Sequence, residues 1–252
     1  MVAYFNRANA YGSNRGLVYG AKGDRGRAIA DYSEAIRLNP KYALAFHNRG
    51  LAYRAEGDSD RAIADYTEAI QLDPKNPSTF NNRGFVYHDK GDNDHADADF
   101  NEAIRLNPAA ALKQRGSWFF YQGDFEKAAA DLLRTHDLRH DAYTMLWRYL
   151  ARARMGQDGA AELTASATQL KSEDWPHAVI AFYLGQRSLD EMHTAARNAN
   201  ERCESAFYAG EWELLRGNMG QARASLRVAA DTCPRNFVEY NGAISELKRL
   251  GQ

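Results

Sequence analysis

The side chains that could do chemistry are scattered through this 252-residue chain. Seven histidines stand at 47, 88, 95, 136, 140, 177 and 193. His136-Asp137 and His140-Asp141 are four residues apart, so a helix would put them on one face, where they could meet a metal. The same four residues read better as solvated polar groups at the junction of the fourth and fifth helical units. The acidic run Asp92-Asn93-Asp94 lacks the glycine and the terminal glutamate of a calcium loop. Gly-x-Ser-x-Gly, a phosphate loop and His-Glu-x-x-His are all absent from the sequence. No catalytic residue, metal or cofactor is therefore expected, and the chain does not read as an enzyme.

Composition narrows the remaining classes. Lys and Arg number 32 against 33 Asp and Glu, a formal charge of −1, so nothing in the balance points to nucleic acid or an anionic membrane surface. No apolar run approaches the roughly 18–20 residues that a membrane-spanning helix needs. With 44% hydrophobic and 12% aromatic residues, the chain has ample material for a packed core.

The positional signal lies in a repeat. Asn-Arg-Gly recurs at 14–16, 48–50 and 82–84, an interval of 34 residues both times. The same step links Tyr19, Tyr53 and Tyr87; Ala28, Ala62 and Ala96; Tyr32, Tyr66 and Phe100; Ala35, Ala69 and Ala103; and Pro40, Pro74 and Pro108. Gly23-Asp24, Gly57-Asp58 and Gly91-Asp92 are turn dipeptides between two amphipathic helices. Proline removes a backbone donor and biases its predecessor away from helix, so the second helix of each unit stops there. Gly50 and Ala62 are small enough for the two helices to approach closely, with Tyr53 and Tyr66 beside them. A single hairpin cannot bury its own apolar face, so the hairpins must stack.

These columns resemble the tetratricopeptide repeat (TPR) over residues 9–140. The resemblance implies an all-α solenoid, a right-handed superhelix of helix–turn–helix repeats closed by a C-terminal capping helix. Phe46 and Phe80 take the early aromatic place of the first helix, and Gly12 replaces it in the first repeat, which suits a repeat truncated upstream. Residues 1–140 are thus expected to hold four regular repeats. The interval shortens to 32 between Gly84 and Gly116, where Phe119, Ala128 and Leu132 continue the pattern. Residues 141–252 are expected to form divergent hairpins: one at 141–168 with Trp147, Leu150, Ala160 and Leu163 as its core, and a shortened pair at 173–199. The last repeat is expected at 203–234, carrying Gly210, Ala222, Leu226, Ala229 and Pro234. A cap at about 236–250 presents Phe237, Tyr240, Ile244 and Leu247 on one face.

In TPR proteins the concave surface is lined by the first helices, and the resemblance places ligand contacts beside the glycine. Here that gives an amide ladder of Asn14, Asn48 and Asn82, continued by Gln114. Amides offer both donors and an acceptor, and can grip the backbone of an extended peptide. His47, Leu51 and Arg54 are expected on the same face, with Asn81, Phe85 and His88 from the third repeat and Lys113, Ser117 and Phe120 from the fourth. An alternative is that the ladder ties neighbouring repeats together. Arg15, Arg49 and Arg83 are expected to pair with a carboxylate of an adjacent repeat. Lys113 and Arg54 resemble parts of the family's dicarboxylate clamp, whose full set is not present.

Asn236-Phe237-Val238-Glu239-Tyr240, then Ala243, Glu246-Leu247 and Leu250-Gly251-Gln252, resemble the end of the Gram-negative envelope TPR lipoprotein family (new lipoprotein I). Phe207–Gly210, Leu214, Gly217-Asn218 and the Trp147–Leu150 segment are similar to it too. This resemblance covers about the last 110 residues. It implies a periplasmic scaffold, homodimeric, that brings a processing protease and peptidoglycan enzymes to their targets. The family's anchor cysteine has no match, so membrane contact is expected only through an anchor absent from this chain. Cys203 and Cys233 are expected at the start of the first helix and the end of the second helix of the last repeat. An antiparallel hairpin brings those points to one end, so the thiols could form a disulfide, which would imply an oxidising compartment. Two independent buried thiols are the alternative.

The function expected is a scaffold or adaptor that binds a protein or peptide partner, not nucleic acid, in the periplasm or envelope, with the cytoplasm as the alternative location. A self-assembling structural element, built through the open stacking face near residue 9, and a cytoplasmic module of co-chaperone type stay open as alternatives.

Overall fold

Each Gly-Asp dipeptide ends one helix and begins the next. Gly57, Gly91 and Gly123 adopt φ of 83°, 80° and 85°, the left-handed conformation that costs glycine nothing. The following aspartate then donates its backbone N–H to the carbonyl five residues back: Asp58 to Tyr53 at 2.9 Å, Asp92 to Tyr87 at 2.9 Å and Asp124 to Phe119 at 3.0 Å. Its side chain accepts from the third backbone N–H of the next helix, as Asp58 does from Arg61 at 3.0 Å and Asp124 from Lys127 at 3.2 Å.

A computed structural model describes residues 24–168, 170–171, 174–235 and 237–251 of the chain. The opening helix expected for the first repeat, with Asn14, Arg15 and Tyr19, lies outside the described residues. Those described form fourteen α-helices. In chain order they are α1 (Arg25–Leu38), α2 (Ala43–Glu56), α3 (Ser59–Leu72), α4 (Pro77–Asp89), α5 (Asn93–Leu106), α6 (Pro108–Gln122) and α7 (Phe125–Arg139). There follow α8 (Ala142–Arg154), α9 (Ala160–Ala167), α10 (Trp175–Tyr183), α11 (Leu189–Ala195), α12 (Ala199–Leu215), α13 (Met219–Thr232) and α14 (Val238–Arg249). No helix among the described residues is long and apolar enough to cross a membrane. The chain divides into two compact units, Met1–Ala111 and Leu112–Gln252, whereas the sequence pattern puts its change of character near 140.

In the first unit the antiparallel pairs α2/α3 and α4/α5 are locked by the repeat columns. A Cβ on Gly84 would come within 2.7 Å of the Phe100 ring, so only glycine lets α4 close on α5. Ala62, Ala69, Ala96 and Ala103 are sealed, and Tyr66 and Phe100 fill the space beside them. The recurring arginine is a buried strut. Arg49 grips Asp65 with two bonds of 2.7 Å, and Arg83 grips Asp99 at 2.8 and 2.7 Å. Each also donates back to the preceding repeat, Arg49 to Ser33 Oγ and Arg83 to Thr67 Oγ1, both at 3.0 Å. The expectation of a carboxylate from an adjacent repeat is corrected: the carboxylate comes from the same hairpin, and the neighbouring repeat supplies a hydroxyl. A planar guanidinium has donors on two edges, so one side chain serves both purposes.

In the second unit α6/α7 repeats the strut, with Arg115 on Asp131 at 2.7 and 2.9 Å. Farther on, α12 and α13 form a regular hairpin in which a Cβ on Gly210 would lie 2.7 Å from Leu226. Cys203 sits in the second turn of α12 rather than at its start, and it is joined to Cys233 across a Cα separation of 5.0 Å. The closing helix α14 turns a different face inward from the one its apolar residues suggest. Glu239, Gly242, Ala243 and Glu246 are buried, whereas Ile244 is 44% exposed. The reason is steric. Gly242 lies so close to Phe207 and Trp147 that a Cβ would meet them at 2.7 and 2.9 Å, and only a small face fits there.

Candidate functional site

The face formed by the first helices differs between the units. In α2, Leu44 and Leu51 are 45% and 38% exposed, seven residues and so two turns apart on one stripe. Arg54 follows one turn later, its guanidinium 5.1 Å from the Phe85 ring centre and 4.0 Å from Asp89. Between them Asn48 is buried, and its Nδ2 has no hydrogen-bond partner. A sealed amide donor with no acceptor is uncommon, because losing water without replacement costs about 1–3 kcal/mol.

The other residues expected to line a groove are mostly inside the protein. His47 is buried with its Nδ1 2.8 Å from Thr79 Oγ1, and burial pushes its pKa down to about 4, so the ring is neutral. Asn81 is sealed and donates to the Ala111 carbonyl at 3.0 Å, and Asn82 and Phe85 are buried. The picture of an open amide ladder is corrected accordingly. His47 and Asn81, each beside a ladder position, instead reach across to the next repeat, at Thr79 and at the Ala111 carbonyl. His88 and Gln114 are half-buried. Phe120 is fully buried, packed edge-on against Phe125 and Trp147.

Lys113 and Ser117 come together one turn apart on α6 at a pocket within the second unit. The pocket has a volume of about 230 Å³. Leu132, Tyr143, Thr144 and Trp147 line it, along with Phe237 and Val238 at the entry to α14. Two carboxylates, Glu204 on α12 and Glu239 on α14, complete it, 7% and 3% exposed. Glu204 accepts from Trp175 Nε1 at 2.8 Å and from the Tyr143 hydroxyl at 3.2 Å. Glu239 accepts from the Tyr208 hydroxyl at 3.1 Å. Burial, reinforced by the charge of Glu239, pushes Glu204 up to about 7. Burial raises Glu239 as well, against the opposing pull of its hydrogen bonds and of Lys113. Lys113 itself is held by Asp141 at 2.6 Å. Sequence reading missed both glutamates, since a lone Glu in a helix carries no periodic signal. Their only trace was that Glu239 lies inside the segment that resembles the envelope family.

His136 and His140 sit side by side at the end of α7. His136 lies in α7, and His140 ends that helix with φ of 49°, their ring centres 5.4 Å apart. Among the described residues no three His, Cys, Asp or Glu side chains gather as a metal would require.

Residues 16–54 and 50–91 match a model of the TPR repeat, and residues 77–109 match a tetratricopeptide repeat model. The chain thus carries tetratricopeptide repeats over residues 16–109, and its fold is the all-α TPR fold. A tetratricopeptide repeat protein from Parabacteroides merdae is similar over 96% of this chain and 99% of its own, with a TM-score of 0.50 at 19% identity. Pseudomonas aeruginosa pilF is similar over 96% and 99%, with a TM-score of 0.49 at 17% identity. The second TPR of Spaghetti (RPAP3), solved with an HSP90 peptide, is similar over 42% of this chain and 99% of its own, with a TM-score of 0.40 at 27% identity.

Proposed function

We propose that this chain is a non-catalytic scaffold that binds a segment of a partner protein along the first-helix face of its repeats. The observation that carries the reading is the exposed Leu44–Leu51 stripe on α2, flanked by Arg54. Two leucines at a two-turn spacing suit an apolar anchor pair of an incoming segment, and Arg54 adds a charged edge.

The working compartment in this reading is oxidising, as in the bacterial envelope, where the partner would be a protease or a peptidoglycan enzyme. The Cys203–Cys233 disulfide supports it, because such bonds do not persist in a reducing cytosol.

A photo-reactive residue at position 51 tests the reading in bacterial envelope extract. Cross-links to a foreign protein are expected, and they should disappear when Leu44→Asp and Arg54→Glu are added. Cross-links that persist unchanged would sink the groove, and cross-links to the chain itself alone would make self-assembly the better account.

A further inference from the structure

The second-unit pocket carries a reading independent of the stripe on α2. Its walls combine two properties that rarely meet without purpose. Leu132, Trp147, Phe237 and Val238 make it apolar, and Glu204 and Glu239 give it two nearly sealed carboxylates. Among the described residues no lysine or arginine forms an ion pair with either carboxylate. The one cation on the lining, Lys113, is held by Asp141. Burying a carboxylate without a countercharge is costly, and burying two side by side adds their mutual repulsion. Both are nevertheless held in fixed orientations, Glu204 by Trp175 and Tyr143, and Glu239 by Tyr208. The Trp147 indole N–H leans toward Glu239 and helps hold that carboxyl down, yet it is sealed from water without completing a hydrogen bond.

We propose that this pocket binds a cation carried on an apolar stem, an ammonium or guanidinium group. Its charge is met by Glu204 and Glu239, and its alkyl part lies against Trp147, Leu132 and Phe237. The volume fits: about 230 Å³ is nearly eight waters at about 30 Å³ each, room for a stem of lysine length. The charges fit as well, since Lys113 and Asp141 cancel and one cation relieves the repulsion between the two glutamates. The same chemistry is carried by a lysine or arginine side chain of a partner and by a small soluble amine.

Two consequences distinguish a binding site from a structural pair. Glu204 faces Glu239, Glu201, Tyr143 and Trp175, and Glu239 faces Tyr208, Trp147 and Lys113. With Glu204 raised to about 7, an arriving cation must expel a proton near neutrality. Affinity should therefore climb as pH rises from about 6 to about 8, while an alkylamine stays charged throughout. Lys113, half-exposed at the rim, opposes the ligand, so Lys113→Gln should tighten binding.

The experiment is calorimetry on the full chain with n-butylamine, n-butylguanidine and a blocked Gly-Lys-Gly peptide, beside n-butanol and the ε-acetyllysine peptide, in two buffers of different ionisation enthalpy. Binding of a cationic probe with proton release is expected, weakened at least about tenfold by Glu204→Gln or Glu239→Gln and tightened about two- to fivefold by Lys113→Gln. Gln keeps an acceptor for Trp175 and Tyr143, and circular dichroism checks that each variant folds. Preference for the blocked lysine peptide identifies a protein side chain as the ligand, and preference for butylamine identifies a small amine. Either result supports the site. No heat from any cationic probe, equal binding of the neutral probes, or weaker binding in the folded Lys113→Gln variant would overturn it.

Discussion

The two units handle buried charge in opposite ways. In the first, α2 and α4 each carry an arginine whose guanidinium is matched by one aspartate of the same hairpin and tied back by one hydroxyl, so the inward charge of each hairpin has its partner. In the second, the bidentate grip recurs at Arg115–Asp131 and at Arg148–Glu162, where Arg148 ties back to the Ala129 carbonyl rather than to a hydroxyl, and beyond α8 it gives way to other arrangements. Arg154 is shared by two sealed glutamates, Glu211 at 3.2 Å and Glu246 at 2.9 Å, with Arg249 on the latter. Among the described residues Glu204 and Glu239 have no such partner. Charge repeated at the period of the fold is architecture; charge that breaks the period and stays unneutralised is where a ligand is worth seeking.

Removing one strut should have the largest effect. Arg83→Met leaves Asp99 buried without its guanidinium, and about 4 kcal/mol of stability should be lost, since breaking a buried pair strands a charge. Adding Asp99→Leu should recover much of it. Urea unfolding of the three proteins checks this, and a double variant no better than the single would mean that the pair's worth lies in its packing rather than its charge.

Reducing the Cys203–Cys233 bond, or replacing both residues with serine, should cost on the order of 3 kcal/mol for a loop of this size. The loss should appear in hydrogen exchange of α12 and α13 and leave α2 to α5 unchanged. Uniform loss of protection would show that the units unfold together, against the contrast drawn here.

The smallest effect is the pH response. Glu204 titrates higher in the folded chain, at about 7, than in the unfolded one, so the folded state holds more protons between those values. Its contribution is complete below the unfolded pKa near 4.5 and is lost as pH rises through about 7. Thermal melts at pH 5 and 8 should differ by about 2 kcal/mol more for the wild type than for Glu204→Gln. Equal pH responses would mean that Glu204 is already ionised in the fold.

Much of the architecture was legible because it is local and periodic. Gly57-Asp58 and Gly91-Asp92 mark turns on chemical grounds alone, and the alanine and aromatic columns mark the faces that touch. The Arg column was visible too, and its partner was within reach: Asp31, Asp65 and Asp99 recur at the same 34-residue step, a register that the reading overlooked. The groove was less legible. Leu51 and Arg54 reach the surface, whereas His47, Asn81 and Phe85 do not, because how far two hairpins close over a position depends on the side chains of both.

The amino-acid sequence alone determined the helical hairpins, their turns and the columns along which they stack, since each rests on contacts within about one repeat. Only the tertiary structure decided that Gly242 must press against Phe207 and Trp147. That contact turns Glu239 inward and sets it at one pocket with Glu204, thirty-five residues earlier in the chain. Nothing in either segment signals the meeting, because the burial of a carboxylate is set by what packs around it, and here the surroundings come from six different helices.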